Sequence, residues 1–559
     1  MSAVATAPAG PAVPTIGRAR FGSTLTGTGR MIRFILRRDR VRIFWWTFSI
    51  VAFYLYFMAA LGTFDAEAMA GRAALMETPS GIAMGGPGYG VEDYTPERAV
   101  ANEGITWWVI ALGVMSILHM VRHTRTEEES SRSELVRANV VGRHAPAVAA
   151  IATLTLVNAL IAVFSAGIIV AIGGEYVTVA DSFGLTVGVA LASMVFGVVA
   201  FVFAQLTVHG RGAIGLSMAV LGAAFFARAA GDMMETHGSP LSWSSPFAWA
   251  QQMRPFVDLI WWPALLSVAV IVLLLLLGSF LASRRDFGGG MLAERAGRAE
   301  AGGSLAGPVA LAWRQQRWAL FWCSLGLGLM WFATGTMLPD IADLMRDMVE
   351  SNPLVGAVFG NDPDGFVTAF LGIMLLYGIL CVAAYAIVMG GRAKAEESAG
   401  RAEIVLARPL ARSTWYGAQL LVAGIGTVVM TAVTVYAMWA GGVAVGDETF
   451  SFGDYTEVLW PYLPAALCYL GFTAVLYAWF PKATGLGWLL LVYGFVIGMF
   501  GSLIEDLPEA ANYANPLYWV PEAFVESPEP SHMIGLGVAV VVLFGLAFLG
   551  FRRRDIPAV

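Results

Sequence analysis

Carboxylate and guanidinium side chains recur in two stretches of this sequence with nearly the same spacing. The first stretch reads TEEESSRSELVRANVVGRHA at 126–145, and the second reads AEESAGRAEIVLARPLARST at 395–414. Side chains of opposite charge at helical spacing form ion pairs, and a surface that carries both charges can bind a partner of complementary charge. The chemistry that these residues offer is recognition of another protein, and nothing in either stretch points to catalysis.

The two stretches align without gaps, 127–143 against 396–412. Identical residues occupy the aligned positions Glu127/Glu396, Glu128/Glu397, Arg132/Arg401, Glu134/Glu403, Val136/Val405, Ala138/Ala407 and Arg143/Arg412. In each stretch the second glutamate and the first arginine have the i,i+4 order that stabilises a helix. Glu127 shares a helix face with Glu134, and Glu396 shares one with Glu403. The pattern predicts a short charged helix in each stretch, with its carboxylates forming a docking surface.

A simpler explanation is that the charges only anchor a loop on one side of a membrane. Arginines do set the orientation of membrane proteins, but acidic residues contribute little to it. The repeated glutamates therefore favour docking over a purely topological role.

The elements that position these stretches are membrane spans. The chain has 57% hydrophobic and only 13% charged residues, with a mean hydropathy of +0.68. Apolar runs of about 20 residues cross a bilayer as helices. Twelve such runs are predicted at 43–64, 105–121, 146–172, 182–208, 212–231, 260–283, 319–338, 367–390, 416–441, 457–480, 485–504 and 533–551. The fold class is therefore an all-α polytopic membrane protein.

Positive charge orients the spans. With the N-terminus inside, all but five of the 34 Lys and Arg residues lie on the cytoplasmic side, the exceptions being Arg72, Arg98, Arg228, Arg254 and Arg346. Such a bias predicts that both termini are inside. The net charge of −6 averages two opposite faces and does not indicate a nucleic-acid partner. Cys323, Cys381 and Cys468 all fall inside spans, so neither disulfides nor a metal site is expected.

Further matches extend the repeat. SPFAW at 245 matches NPLYW at 515, RRDF at 284 matches RRDI at 553, and Arg37, Arg40, Phe44 and Trp45 match Arg314, Arg317, Phe321 and Trp322. Because each half holds six spans, both have the same orientation, as in a fused pseudo-dimer of two tandem parallel repeats. The predicted organisation is a disordered cytoplasmic tail (1–28), a first six-helix half (29–284, loop 122–145), a cytoplasmic linker with a second amphipathic helix (285–318), a second six-helix half (319–551, loop 391–414) and a cytoplasmic tail (552–559).

These features resemble the permease subunits of ATP-binding-cassette type 2 exporters. The shared features are the basic segment RMIRFILRRDR at 30–40, the charged loop between spans two and three, and Pro-x-x-Trp in the last outer loop of each half. The fused twelve-span form looks like the actinobacterial exporters of polyketide antibiotics of the tetronasin type, and like multidrug exporters. This resemblance implies a location in the plasma (inner) membrane of a bacterium.

The resemblance implies that each charged loop is a coupling helix that binds an ATPase subunit. The residues assigned to ATPase docking are Glu127, Glu128, Arg132, Glu134, Arg143, Glu396, Glu397, Arg401, Glu403 and Arg412. A phosphate-binding loop needs Gly-Lys-Ser/Thr, whereas the only two lysines, Lys394 and Lys482, follow Ala and Pro. The chain is therefore expected to be a transport subunit that is not itself an enzyme and binds no cofactor. ATP and Mg²⁺ would bind a separate ATPase, with two copies per chain that form a homodimer.

The alternative is a proton-coupled secondary multidrug transporter, since twelve spans in two parallel halves also describe the major-facilitator architecture. Proton coupling uses ionisable residues inside the membrane, and the predicted spans contain few. Arg228 is expected to extend to the outer interface, and His119 to lie at the inner interface, where it could carry a proton. A membrane enzyme is a third class, but the acids of the outer loops are scattered.

The cargo expected from the aromatic and methionine content is a hydrophobic or amphipathic small molecule, such as a drug or polyketide. In type 2 exporters the path lies between the halves, lined by spans two and five of each. The resemblance places Trp108, Met115, Phe225, Phe226, Met374, Tyr377, Tyr493, Met499 and Phe500 there. Asn158 and Gln205 are added because an amide in an apolar span needs a partner, although holding helices together explains them more simply.

Overall fold

A computed structural model shows how the chain folds. It describes residues 24–129, 141–174, 177–285, 288–292, 300, 302, 305, 307–339, 341, 363–447, 449–500, 512–525 and 527–555. The predicted N-terminal tail up to residue 23 lies outside these ranges, as do residues 286–287, 293–299, 301, 303–304 and 306 of the predicted linker. The same applies to Arg132, Glu134 and the side chains of Met499 and Phe500.

The described residues form helices and connecting loops without a β-strand, and twelve of their helices are long and apolar enough to span a membrane, which confirms the all-α polytopic fold. The spanning helices are α1 (Thr28–Leu61), α2 (Ile105–Val121), α3 (Ala145–Ile172), α4 (Val179–Leu206), α5 (Gly210–Met234), α6 (Trp262–Arg284), α7 (Pro308–Thr336), α8 (Pro363–Gly390), α9 (Arg412–Ala444), α10 (Phe452–Trp479), α11 (Gly487–Phe500) and α12 (Pro530–Arg553).

The basic segment at 30–40 and the first span form one continuous helix, α1, of 34 residues. The sequence predicted an amphipathic segment that precedes the span. No glycine or proline lies between Arg30 and Leu61, so nothing in the backbone interrupts the helix. In the same way α7 begins at Pro308, before the predicted span at 319–338, with proline in its favourable position at the helix start.

The last residues of the predicted disordered tail are ordered. The backbone amides of Gly142 and His144 donate to the carbonyl oxygens of Thr26 and Thr24 at 2.9 and 3.1 Å. These bonds connect the chain just before α1 to the chain just before α3, so the first folded unit includes residues that the sequence placed in the tail.

The chain forms two compact units, Met1–Ala296 and Gly297–Val559. In the first unit α4 is the central helix, packing against α2, α3 and α6, while α1 packs against α3. Glycines of α4 allow close contacts, because a Cβ at Gly197 would lie 2.7 Å from Leu154 of α3, and one at Gly188 would lie 2.8 Å from the sulfur of Met253, which follows the short helix Pro246–Gln251. Small residues bring spanning helices close enough for dispersion contacts to hold them.

The second unit is built in the same order of packing. Its central helix α10 contacts α8, α9 and α12, while α7 packs along α9. The contact between α7 and α9 is closest at Gly335 and Gly441, because a Cβ at Gly335 would lie 2.1 Å from the carbonyl oxygen of Met438, and one at Gly441 would lie 2.0 Å from that of Phe332. Only glycine fits where two helix backbones meet at this distance.

The substitution Gly335→Ala tests this contact, with Gly326→Ala on the same helix as the control, since a Cβ at Gly326 meets nothing within 4 Å. We expect Gly335→Ala to destabilise the protein by about 1–3 kcal/mol through overpacking. Gly326→Ala should be neutral or stabilising, because alanine favours helix over glycine. Thermal unfolding of the detergent-solubilised protein measures both, and equal melting temperatures would contradict the close contact.

Candidate functional site

The second charged stretch folds into two short helices, Arg392–Ser398 and Arg401–Leu406. The break falls at Gly400, which has a φ of +70°, in the left-handed region that glycine adopts without the steric penalty of a Cβ. The prediction of one short helix with Glu396 and Glu403 on a common face is therefore wrong. Glu396 is buried, at 2% exposure, whereas Glu403 is exposed.

Glu396 holds the turn between these two helices. Its carboxylate accepts two hydrogen bonds from Arg401, at 2.8 Å to Nε and 2.9 Å to Nη2, and it also pairs with Arg392 at 3.1 Å. Hydrogen bonding to this carboxylate raises the pKa of Arg401. The predicted pair between Glu397 and Arg401 does not form, because the turn at Gly400 brings Arg401 to Glu396 instead.

Glu397 joins the stretch to the end of α12. Its carboxylate forms an ion pair with Arg554 and accepts a hydrogen bond of 2.6 Å from the hydroxyl of Tyr477 on α10. Arg554 also donates to the carbonyl oxygen of Tyr477 at 3.0 Å, and Arg412 donates to the carbonyl oxygen of Arg554 at 3.1 Å. Two predicted docking residues, Glu397 and Arg412, therefore bind the C-terminal end of the last helix.

The first charged stretch is described up to Glu129 and again from residue 141. Glu128 receives a hydrogen bond of 2.6 Å from Arg285, which follows α6, and pairs with Arg125 at 2.9 Å. Arg143 donates to the carbonyl oxygens of Ala282 and Ser283 near the end of α6, at 3.2 Å each. The stretch is thus tied to the last helix of its own unit.

Glu127 completes this arrangement by pairing with Arg38 of α1 at 2.8 Å. The aligned Glu396 contacts α7 through the amide of Gln315, at 3.2 Å. In both units the first glutamate of the stretch therefore contacts the first helix, and the second contacts the residues after the last helix. We call Glu128–Arg285 and Glu397–Arg554 the terminal ion pairs.

The arginines of the terminal ion pairs were not among the predicted site residues. The signal that could have found them is the repeated RRD at 284–286 and 553–555. Glu128 and Glu397 are also repeated, and a glutamate and an arginine that are both kept in two repeats are predicted to pair. Arg125, only 1% exposed, was also missed. It donates to the carbonyl oxygens of Val208, Gly288 and Gly289 at 2.7–3.0 Å.

The exposed part of the second stretch begins where its internal pairs end. Glu403, Ala407 and Arg408 are exposed, and Ile404 is 72% exposed although it is aliphatic. We call this region the 403–408 surface. It presents an aliphatic side chain between an acid and a base on a short helix that internal ion pairs hold in place, which is a suitable arrangement for binding a partner protein.

Buried ionisable groups are more numerous than the sequence indicated. Asp39 of α1 is 4% exposed and contacts His123 at 2.8 Å and Arg122 at 3.2 Å. His119 is half-buried, 3.0 Å from the hydroxyl of Thr153, and its ring lies 4.5 Å from that of His123. His119 lies in the last turn of α2, near the helix end as the sequence predicted, and belongs to a side-chain cluster within the first unit.

The expectation that Arg228 extends to the outer interface is also wrong. Arg228 is fully buried, donates to the carbonyl oxygens of Ile82 and Ala83 at 3.1 and 2.7 Å, and lies 3.5 Å from Asp232. The short helix Pro79–Met84 supplies these carbonyl groups. This short helix therefore covers the end of α5, and its carbonyl groups replace the water that the guanidinium would otherwise reach.

The predicted substrate-path residues fall into three environments. Trp108 and Met115 are buried in the first unit, where Trp108 stacks on Tyr54 with ring centroids 3.7 Å apart. Phe226 is 54% exposed. The half-buried members are Phe225, Met374, Tyr377 and Tyr493. The buried pair contributes to helix packing, and the more exposed residues occupy helix surfaces.

The two amides predicted in spans three and four both bind within the first unit. Asn158 donates to the carbonyl oxygen of Leu154 at 3.1 Å and to the hydroxyl of Ser116 on α2 at 3.4 Å. Gln205 accepts a 2.8 Å hydrogen bond from Arg285. Their polar groups thus hold helices and the end of α6 together.

Comparison with known proteins agrees with this architecture. The family model described as "Multidrug efflux system permease Rv1217c, C-terminal domain" matches residues 29–281 and 305–552. The multidrug efflux system permease protein Rv1217c of Mycobacterium tuberculosis (strain ATCC 25618 / H37Rv) is 33% identical over 546 residues, which are 96% of each chain. Together with the twelve apolar helices, these matches define the class as a multi-pass permease of the bacterial inner membrane. The chain belongs to the Rv1217c family of multidrug efflux system permeases.

A double-mutant cycle on Glu397→Gln and Arg554→Gln tests the second terminal ion pair. Each side chain is partly buried, at 11% and 13% exposure, so we expect each single substitution to lower stability by about 1.5–3 kcal/mol, as for hydrogen bonds to charged groups. The double variant should lose less than the sum of the single losses. Glu403→Gln is the exposed control and should not change the melting temperature. Strictly additive losses would show that the pair contributes no coupling.

Proposed function

We propose that this protein is the transmembrane permease of an ATP-driven exporter that extrudes hydrophobic or amphipathic small molecules, such as drugs and polyketide-like antibiotics. The observation that carries the proposal is the match of both halves to a multidrug efflux system permease family. The 403–408 surface, which ion pairs within the second unit hold in place, adds to it. The proposal includes cytoplasmic termini and an origin by tandem duplication.

ATP hydrolysis is assigned to a partner. The chain contains two lysines, neither of them in a phosphate-binding loop, while its two charged stretches offer two binding positions. The proposed assembly therefore contains two ATP-binding-cassette ATPase subunits per permease, which form a homodimer and bind ATP and Mg²⁺.

The contacts of the second stretch connect its exposed surface to three spanning helices. A partner that binds the 403–408 surface pushes on a segment that Glu397 ties to α10 and α12, and that Glu396 ties to α7. Motion of the surface would then move these helices together and would not deform a loop. Transport requires that ATP and cargo bind the two resulting states with different affinities.

The cargo class follows from the side chains that the spanning helices present. Phe226, Tyr377 and Tyr493 are aromatic and incompletely buried, and they lie on helices with few charged groups. Aromatic surfaces bind bulky apolar molecules through shape and dispersion, with little hydrogen-bond selection. This composition supports a broad range of apolar cargo over a single polar substrate.

The combined substitution Glu403→Arg/Ile404→Asp tests the docking assignment. We expect the ATPase that co-purifies with the permease to fall from two copies to one, because only the second position is altered, and drug-stimulated ATP hydrolysis to fall with it. The composition of the solubilised complex, determined by mass measurement, gives this number directly.

Glu457→Arg provides the matched control, since this exposed acid lies near the opposite end of α10 from Tyr477. It should keep both ATPase copies. If the parent permease purifies without any ATPase, or if Glu403→Arg/Ile404→Asp keeps two copies, the docking assignment is wrong.

Proton-coupled transport is the second candidate, and one observation favours it. Asp39 and His123 form a buried contact at the inner end of the first unit, and buried ionisable residues in membrane helices often carry protons. Asp39→Asn would then abolish dye efflux driven by a proton gradient in proteoliposomes. If efflux instead needs ATP and the partner, and survives without a gradient, the ATP-driven mechanism is supported.

A further inference from the structure

A groove on the surface of the first unit combines guanidinium groups with indole rings. One face of α1 lines it with Arg38, Arg42, Trp45 and Ser49, at the i, i+4, i+7 and i+11 spacing of a helix face, and Arg122 faces them from the end of α2. Asp39, Val41 and Trp46 complete the lining, and the volume is about 610 Å³. The groove is large enough for a lipid headgroup and open toward the surface of the unit.

The charges that face the groove are not balanced. Asp39 compensates Arg122 at 3.2 Å, and Glu127 compensates Arg38 at 2.8 Å. Arg42 is exposed, and none of the described side chains forms an ion pair with it. The groove therefore has an excess positive charge, centred on Arg42, and Arg122 keeps 37% of its side chain exposed beside it.

The depth of the groove matches the boundary between headgroups and acyl chains. The apolar run of α1 begins at Ile43, one residue after Arg42, and Trp45 is 57% exposed. Tryptophan prefers the membrane–water interface, where its ring contacts acyl chains and its N–H contacts headgroups. The guanidinium groups then lie at the level of phosphates, and the two indoles lie one turn deeper.

The second unit lacks these cations. In the alignment of Arg37, Phe44 and Trp45 with Arg314, Phe321 and Trp322, the positions of Arg38, Arg42 and Ser49 hold Gln315, Ala319 and Gly326. Arg122 aligns with Gly391 when Glu127 is aligned with Glu396. The aromatic residue is thus kept while the cations are absent, so this combination of groups occurs once in the aligned halves.

We propose that this groove binds the phosphate headgroup of one anionic phospholipid, with Arg42 and Arg122 contacting the phosphate and Trp45 and Trp46 packing on the upper part of the acyl chains. With cytoplasmic termini the lipid belongs to the inner leaflet. The site depends on the groove alone, so it does not require the proposed ATPase partner.

Native mass spectrometry of the full-length permease in detergent tests the site. Titration with phosphatidylglycerol should show one tight adduct, and phosphatidylcholine should bind at least about fivefold more weakly. Arg42→Gln should weaken phosphatidylglycerol binding about fivefold, since each cation near an anionic headgroup contributes about that factor. Because Arg42 is exposed and unpaired among the described residues, this variant is expected to fold normally, which its melting temperature checks.

The matched control is Arg40→Gln, which removes an exposed arginine from the same helix, two residues away and outside the groove lining. It should bind phosphatidylglycerol as the parent does. Equal weakening by Arg40→Gln would show diffuse attraction to the basic helix and would overturn the site. Equal affinity for the two lipids, or full displacement of phosphatidylglycerol by millimolar inorganic phosphate, would also overturn it.

Discussion

The free energy cost of leaving a charge unpaired beside an apolar helix bundle determines which side chains meet around the charged stretches of both units. Glu128 and Glu397 lie where spanning helices end, and each is neutralised by an arginine that follows the last helix of its unit, Arg285 or Arg554. A partly buried carboxylate keeps its charge only when donors replace the lost water. In each unit, hydrogen bonds and ion pairs around this glutamate therefore join the charged stretch to the last helix and the central helix.

Because of these contacts, a displacement of the stretch is passed on to the helices that it contacts. In the second unit the side chains that were expected to face a partner split into two groups, with Glu396 and Glu397 bound internally and Glu403 exposed. The internal group holds the geometry, and the exposed group is available for recognition. A surface held by such contacts moves together with the helices, whereas a mobile loop would change shape without moving them.

The two units achieve similar packing with different chemistry. The first unit ties α1 to the end of α2 with a buried charged cluster around Asp39, whereas the second ties α7 to α9 with the amides of Gln316 and Gln419, 2.9 Å apart. A charged cluster responds to protons and attracts anions, and an amide pair does neither. The proposed lipid site and the proton-coupled alternative therefore both depend on charged side chains of the first unit.

The sequence by itself determined the class of fold and the elements that matter. Runs of about 20 apolar residues predicted twelve membrane helices, because a helix of that length crosses the bilayer with its backbone polar groups bonded internally. The repeat of Glu127 and Glu128 at Glu396 and Glu397 located the two charged stretches. The partners of these glutamates depend on tertiary structure. A left-handed turn at Gly400 redirects Arg401, and the end of α12 brings Arg554 to Glu397 from 157 positions along the chain. Local spacing predicts pairs within one helix, but only the packed helices decide which charges from distant segments meet.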